Sequence, residues 1–203
     1  MTNIARAAEF LAQQWPCFPC NAEKRPVTPR GLKDASQELH AVRSMFRSNG
    51  ADMIGVPTGA ASGFVVVDLD IKEGASGLEW LAANEHRIPE TRRHRTRSGG
   101  LHLLFTPPAG RTIRNSAGKL APGVDVRGDG GYVIVPPSPG YAIASDAMPR
   151  AALMRAERAK PCASSPPAMS APIFRPALFR VSSCWPNDAL MMALHSSSRA
   201  ASP

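Results

Sequence analysis

The chain has 203 residues, a normal hydrophobic share of 43% and a formal net charge of +8. It contains no apolar run close to the roughly 20 residues of a membrane-spanning helix, and its N-terminus lacks the basic head and apolar stretch of a secretory signal. We therefore expect a soluble cytoplasmic protein with no membrane partner, whose positive charge favours a polyanionic partner.

The first quarter of the chain predicts two helices and a short strand. Residues Ile4–Gln14 carry apolar side chains at helical spacing. After a loop rich in proline and charge, Asp34 or Ser36 is placed to cap a second helix that runs to about Ser48. Asp52–Val56 follows as a short strand. The first of these helices is expected to cover one face of the core.

Two of the four cysteines, Cys17 and Cys20, have the spacing of metal ligands. A structural zinc site normally needs four ligands, and the sequence offers no second pair with suitable spacing. The alternative is that both are reduced cysteines packed as small hydrophobic residues. We favour the second interpretation.

Two carboxylates stand at the end of the next predicted strand, Gly63–Leu69. Because strand side chains alternate between faces, Asp68 and Asp70 are expected to point the same way, opposite to Leu69. The apolar residues before them predict a strand buried on both faces, whose acidic end opens into a cleft. Such a pair suits Mg²⁺ or Mn²⁺, although two unrelated acids at a solvated strand end would give the same pattern.

Further elements follow at regular intervals and mix helices with strands. A helix is predicted over Ser76–Asn84, and strands over Leu101–Phe105 and Tyr132–Val135. Between them, Arg92–Arg97 is the densest cluster of positive charge in the chain. Strands and helices are thus intermixed along the chain.

A glycine pair precedes the strand that contains His102. Gly99 and Gly100 allow the backbone to approach a ligand closely, and Ser98 adds a hydroxyl. With the imidazole of His102, they predict a turn that faces phosphate groups. A histidine that merely packs inside the strand is the competing interpretation.

A third acidic segment lies at Asp125, which is flanked by two valines. Strand alternation places Asp125 and Arg127 on one face. The following Asp129-Gly130 pair is typical of an ordinary β-hairpin turn, and such a hairpin would explain Asp129. It would not explain Asp125.

These three segments together resemble the primase–polymerase domain of the archaeo-eukaryotic primase superfamily, in the bifunctional form found in plasmid, phage and prophage replication proteins. The motifs that carry the resemblance are Asp68-Leu69-Asp70, Ser98-Gly99-Gly100-Leu101-His102 and Val124-Asp125-Val126-Arg127-Gly128 with its continuation to Ser138. The resemblance spans roughly residues 5–146. It implies an α+β primase–polymerase fold with mixed β-sheets and an RRM-like catalytic half flanked by helices, over a catalytic domain of residues 1–148.

The resemblance implies template-directed nucleotidyl transfer, a DNA primase and DNA polymerase activity that uses two Mg²⁺ or Mn²⁺ ions. The implied metal ligands are Asp68, Asp70 and Asp125, and His102 is also a candidate to protonate the departing pyrophosphate. The implied partners are nucleoside triphosphates, a DNA template and a primer. The residues expected to bind the nucleotide are Ser98, Gly99, Gly100, His102, Arg97, Arg127, Lys24 and Lys33.

Residues 149–203 differ in composition from the rest of the chain, since proline, serine and alanine dominate and acidic residues nearly vanish. We predict a tail that is either disordered or translated from a shifted reading frame. It contains no nucleotide-binding loop of the helicase type, so any helicase partner is expected to be a separate protein. Two other functions stay open: a metal-dependent phosphodiesterase or nuclease with the same carboxylates, and an inactive nucleic-acid-binding replication module.

Overall fold

A computed structural model of the protein describes residues 3–48, 50–72 and 75–146. Within these residues two antiparallel sheets and a short hairpin combine with three α-helices, which confirms the predicted α+β class. The predicted tail, and the domain boundary at residue 148, lie outside the described residues.

The elements follow one another in the order helix, strand, helix and then mostly strands. The α-helices are α1 (Asn3–Leu11), α2 (Leu39–Ser48) and α3 (Gly77–Asn84), with short 3-10 helices at Gly31–Asp34 and Glu85–Arg87. The strands are β1 (Phe18–Cys20), β2 (Met53–Pro57), β3 (Val65–Leu69), β4 (Ile71–Lys72), β5 (Ala75–Ser76), β6 (Arg93–Arg95), β7 (Leu101–Phe105), β8 (Ser116–Ala121), β9 (Val124–Arg127), β10 (Tyr132–Ile134) and β11 (Ala142–Ser145).

The larger sheet has six strands in the order β11-β6-β7-β3-β9-β8, and all of its ladders are antiparallel. All five residues of its central strand β3 are buried, as the sequence predicted. Val65, Val67 and Leu69 point to the side covered by α3, where they pack in one core with Leu81 and Leu103. Their alternation fixes which face the intervening residues occupy.

The opposite face of this sheet is covered along part of its length by the smaller sheet, β1-β2-β10, and by α1 and α2. Val66 and Leu104 are fully buried there, in one core with Ile54, Ala8 and Phe46. The cover is apolar because the stripe of α1 and the strand β2 both present small or branched hydrophobic side chains. This apolar cover ends at Val66, and the next residue of β3 on the same face is the polar Asp68.

Two local predictions were wrong in their boundaries or pairing. Helix α2 begins at Leu39, after the proposed caps, because the Asp34 carboxylate accepts hydrogen bonds from Arg30 and the Ser36 hydroxyl accepts one from the Glu38 N–H. The Asp129 turn does not close a hairpin, since β9 belongs to the larger sheet and β10 to the smaller one. The chain changes sheets at this turn.

The Asp129 side chain stabilises this crossing between the sheets. Its Oδ1 accepts a hydrogen bond of 2.8 Å from the Ala60 N–H, in the loop that precedes β3. Gly59 adopts a positive φ of 82° there, and a Cβ on it would collide with the Asp129 side chain. Asp129 therefore has a structural role that a hairpin turn did not predict.

Candidate active site

A row of polar side chains crosses the large sheet at the open end of β3. Asp68 is directly opposite His102 on β7 and Asp125 on β9, and His102 is in turn opposite His94 on β6. Residues directly opposite in an antiparallel ladder share a face, so the four side chains lie on one surface. We call His94, His102, Asp68 and Asp125 the polar row.

The third acid, Asp70, lies just beyond the end of β3 and is fixed through its backbone. Its N–H donates to the Gly123 carbonyl at 2.8 Å, and its own carbonyl accepts from the Gly77 N–H at 2.9 Å. Asp68, Asp70 and Asp125 each offer an oxygen within 4.8 Å of the others. This all-oxygen donor set, with like charges brought close together, fits a hard divalent cation such as Mg²⁺ or Mn²⁺.

Arg127 contacts two of the three carboxylates. Its Nη2 lies 2.9 Å from Asp125 Oδ2 and 3.2 Å from Asp68 Oδ2. The backbone N–H of Gly118 donates to the other Asp125 oxygen at 2.9 Å. The guanidinium compensates the negative charge between the two acids and fixes their orientation.

The charge state of Asp68 follows from competing effects on its pKa. Burial raises the pKa, but the hydrogen bond and charge of His102 and the charge of Arg127 outweigh it, so the net pKa is lowered. His102 Nε2 lies 3.4 Å from Asp68 Oδ1. Asp68 is consequently ionised at neutral pH and available as a metal ligand.

The turn between β6 and β7 brings the glycine pair beside the acidic residues. Gly100 packs against the carbonyl of Leu69, so closely that a Cβ would collide with it, and Gly99 has a positive φ of 88°. Ser98 is exposed, and its hydroxyl lies 3.1 Å from that of buried Thr96. The turn is thus held against the end of β3, with the Ser98 hydroxyl accessible to a ligand.

Lys24 approaches the polar row from the N-terminal loop. It adopts a positive φ of 67°, uncommon for a residue with a side chain, and the Tyr132 hydroxyl donates to its carbonyl at 2.9 Å. Its ammonium lies 5.8 Å from the centre of the Tyr141 ring, which is 6.0 Å from the ring of His102. Lys24 and His102 therefore both lie beside the ring of Tyr141.

Two other predicted nucleotide ligands lie apart from the acids in the described part of the chain. Lys33 is exposed on the 3-10 helix Gly31–Asp34. Arg97 is exposed beside Ser98, and its Cγ lies against the backbone of Gly140. Neither of the two contacts a carboxylate among the described residues. Their role in binding a nucleotide stays a prediction.

Sequence reasoning missed His94 and Tyr141. His94 is buried, and burial followed by the charges of His102 and Arg92 lowers its pKa to about 4. Its strand was not predicted, because Arg93–Arg95 has two arginines on the side opposite His94. The alternation of Arg93, His94 and Arg95 was the signal in the sequence that could have indicated a strand with His94 on its buried face. Nothing near Tyr141 in the sequence distinguished it.

The Cys17 and Cys20 pair is packed in the interior of the protein. Both thiols are fully buried, and burial raises the pKa of each to about 12. Among the described residues, the side chains close enough together to hold a metal ion are Asp68, Asp70 and Asp125. Neither cysteine belongs to this group. The packed interpretation of the pair therefore agrees with its surroundings.

Comparison with known protein families identifies the family of this chain. A family model described as "Bifunctional DNA primase/polymerase, N-terminal" matches residues 7–166, which is more than half of the chain. The two antiparallel sheets with few helices agree with such a domain. A search of the curated proteins found no match.

The helices in the described ranges were also compared with the requirements of a membrane span. Each of them is too short or too polar to cross a membrane.

Proposed function

The chain belongs to the bifunctional DNA primase/polymerase N-terminal family, and from this premise we propose that it is a template-directed DNA primase/polymerase that acts in the cytoplasm in plasmid, phage or prophage replication. The family supports a primase/polymerase-type nucleotidyltransferase that interacts with DNA and nucleotides. The single observation that carries the finer proposal is the convergence of Asp68, Asp70 and Asp125 at the open end of β3.

In this proposal the three carboxylates hold two divalent cations. When bound, these ions supply a lowered pKa for the attacking 3′-hydroxyl and neutralise the charge of the triphosphate. The protein's contribution is to fix the ligands: the backbone hydrogen bonds of Asp70, and the contacts of Arg127 with Asp68 and Asp125, orient the oxygens before any ligand arrives. Preorganised charges of this kind usually make the largest single contribution to the rate enhancement of an enzyme.

The triphosphate is proposed to bind along the β6–β7 turn. The Ser98 hydroxyl and the backbone of Gly100 offer donors there, while the Gly99 N–H donates to the Thr96 carbonyl at 3.0 Å and holds the turn in shape. The nearby imidazole of His102 supplies another donor and can give a proton to the departing pyrophosphate. Lys24, held beside Tyr141, provides a cation near the His102 part of the polar row. Arg97, Arg127 and Lys33 complete the proposed nucleotide-binding residues.

Primer extension tests the proposed activity. A 5′-labelled primer annealed to a longer template is incubated with Mg²⁺ or Mn²⁺ and with ribo- or deoxyribonucleoside triphosphates. Lengthening of the primer that requires triphosphate supports the proposal. Shortening of the primer without triphosphate would instead establish the nuclease alternative, because the same carboxylates can activate water.

Matched variants connect that activity to the acidic site. Asp68→Asn should lower extension by roughly a thousandfold. Asp52→Asn, which removes an exposed acid outside the site, should retain it. Calorimetry with Mn²⁺ and a triphosphate adds an independent reading. Failure of the wild-type protein to bind either would support the inactive module and contradict the polymerase.

A further inference from the structure

Two of the four arginines in the basic cluster that is most obvious in the sequence are occupied within the protein. Arg92 forms an ion pair with Asp146 and lies over the ring of Trp15. Arg93 forms an ion pair with Glu85 at 2.8 Å. Two of the arginines in Arg92–Arg97 therefore already have acidic partners, and the cluster offers less charge to a polyanion than its sequence indicates.

Positive charge without an ion pair in the described residues also lies along one edge of the large sheet. The segment from residue 106 to residue 123 contains Arg111, Arg114 and Lys119 but no aspartate or glutamate. All three basic residues are exposed, and none has an ion pair with any residue that the structure describes. We call these three residues the β8 edge, because they lie on the edge strand β8 and on the loop that leads into it.

The β8 edge is physically continuous with the acidic site. Gly118, next to Lys119, donates its N–H to Asp125. Just before the strand begins, Asn115, next to Arg114, accepts a hydrogen bond of 2.8 Å from the Gly128 N–H. A chain lying along the strand would thus pass directly beside the acidic cluster.

We infer that the β8 edge binds the sugar–phosphate backbone of DNA and guides it to the acidic cluster, an inference that rests on the proposed function for its choice of polyanion. The segment has three cations and no aromatic side chain on which a base could stack. Its contacts are therefore with phosphates, and the binding is independent of base sequence and sensitive to salt. The opposite edge of the sheet, β11, is formed by Ala142-Ile143-Ala144-Ser145 and has no charge to offer.

The test compares two variants that each remove two positive charges. Arg114→Gln with Lys119→Gln alters the β8 edge, and Arg6→Gln with Arg47→Gln alters exposed arginines on the α1–α2 side of the molecule. Binding of a fluorescent oligonucleotide of mixed sequence is measured by anisotropy over a series of salt concentrations, once as a single strand and once as a primer duplex. Circular dichroism establishes that both variants are folded.

The β8 variant should weaken single-strand binding roughly 25-fold at 0.1 M salt and lower the slope of log K against log salt by about 1.4, because each lost phosphate contact removes about 0.7 from that slope. The α1–α2 variant should change the slope by less than half as much. A loss with the single strand assigns the edge to the template, and a loss with the duplex alone assigns it to the primed end. Equal losses in the two variants would overturn the inference, since they would reflect net charge alone.

The outcome is separable from that of the proposed function. If the wild-type protein fails to extend a primer but the β8 variant still binds DNA more weakly than the control variant, the inference stands and the polymerase proposal fails. If extension occurs and the β8 variant binds DNA as the wild type does, the inference is wrong. Arg114→Lys, which keeps the charge, should retain the wild-type slope.

Discussion

Two neighbouring rows on one face of the large sheet differ completely in chemistry. Val66 on β3 and Leu104 on β7 are opposite each other and fully buried beneath the small sheet and the helices; we call them the apolar row. Two residues along the same strands, Asp68 is opposite His102, and there the cover ends and carboxylates converge. The same strands thus supply stability in one row and chemistry in the next, so substitutions in the two rows should change different properties.

The largest expected effect is the loss of activity in Asp68→Asn. Removing one charged ligand from the acidic cluster should lower kcat/KM for primer extension roughly a thousandfold, which corresponds to about 4 kcal/mol of transition-state stabilisation. The unfolding free energy, measured by urea denaturation, should change by only about 1 kcal/mol, since the amide keeps the shape and an acceptor. A variant that is fully active would refute the assignment of Asp68.

Leu104→Ala should have the opposite signature in the apolar row. Truncating a fully buried leucine leaves a cavity and should cost about 3.5 kcal/mol of unfolding free energy. At a temperature where the variant remains folded, kcat for primer extension should stay within about threefold of the wild type. A large loss of kcat in the folded variant would show that the two rows are not independent.

His94, at the end of the polar row, should make the stability depend on pH. A histidine in the unfolded chain has a pKa near 6.5, whereas burial lowers the pKa of folded His94 to about 4. Between these values the unfolded chain binds the extra proton, so stability falls as the pH falls from 6.5 to 4, by at most about 3 kcal/mol. His94→Gln should show a flatter profile in urea denaturation over this range, and an unchanged slope would contradict the assignment.

The smallest expected effect concerns Arg127, whose backbone lies opposite Val66 and whose side chain reaches the acids of the polar row. Arg127→Gln leaves Asp68 and Asp125 without that positive charge. In a metal-free buffer the unfolding free energy should fall by about 1 kcal/mol, discounted because the side chain is 36% exposed. Arg127 and a bound cation would contact the same two carboxylates, so added Mn²⁺ should stabilise the variant more than the wild type. An equal gain in unfolding free energy for both proteins would argue against this competition.

Local signals predicted several elements well. Strand β7 has the predicted bounds, Leu101–Phe105, because a short apolar run after glycines leaves few alternatives. Helix α3 begins at Gly77, one residue after the predicted start at Ser76, and the Ser76 hydroxyl caps it by accepting from the Glu79 N–H. Strand β6 was missed, because its arginines are tolerated only through an ion pair with Glu85 and exposure to solvent. That compensation comes from another part of the chain.

The sequence by itself determined the alternation of β3, which directs Leu69 into the core and Asp68 to the other face, because the period of a strand is a local property. It also indicated the three acids and the glycine turn. Only the tertiary structure decided that His94 and His102 extend the row and that Arg127 lies between two carboxylates. It also decided that Arg93 of β6 is paired with Glu85, while the β8 edge has no ion pair within the described residues. Cross-strand register and side-chain pairing join residues far apart in the chain, and no local pattern specifies them.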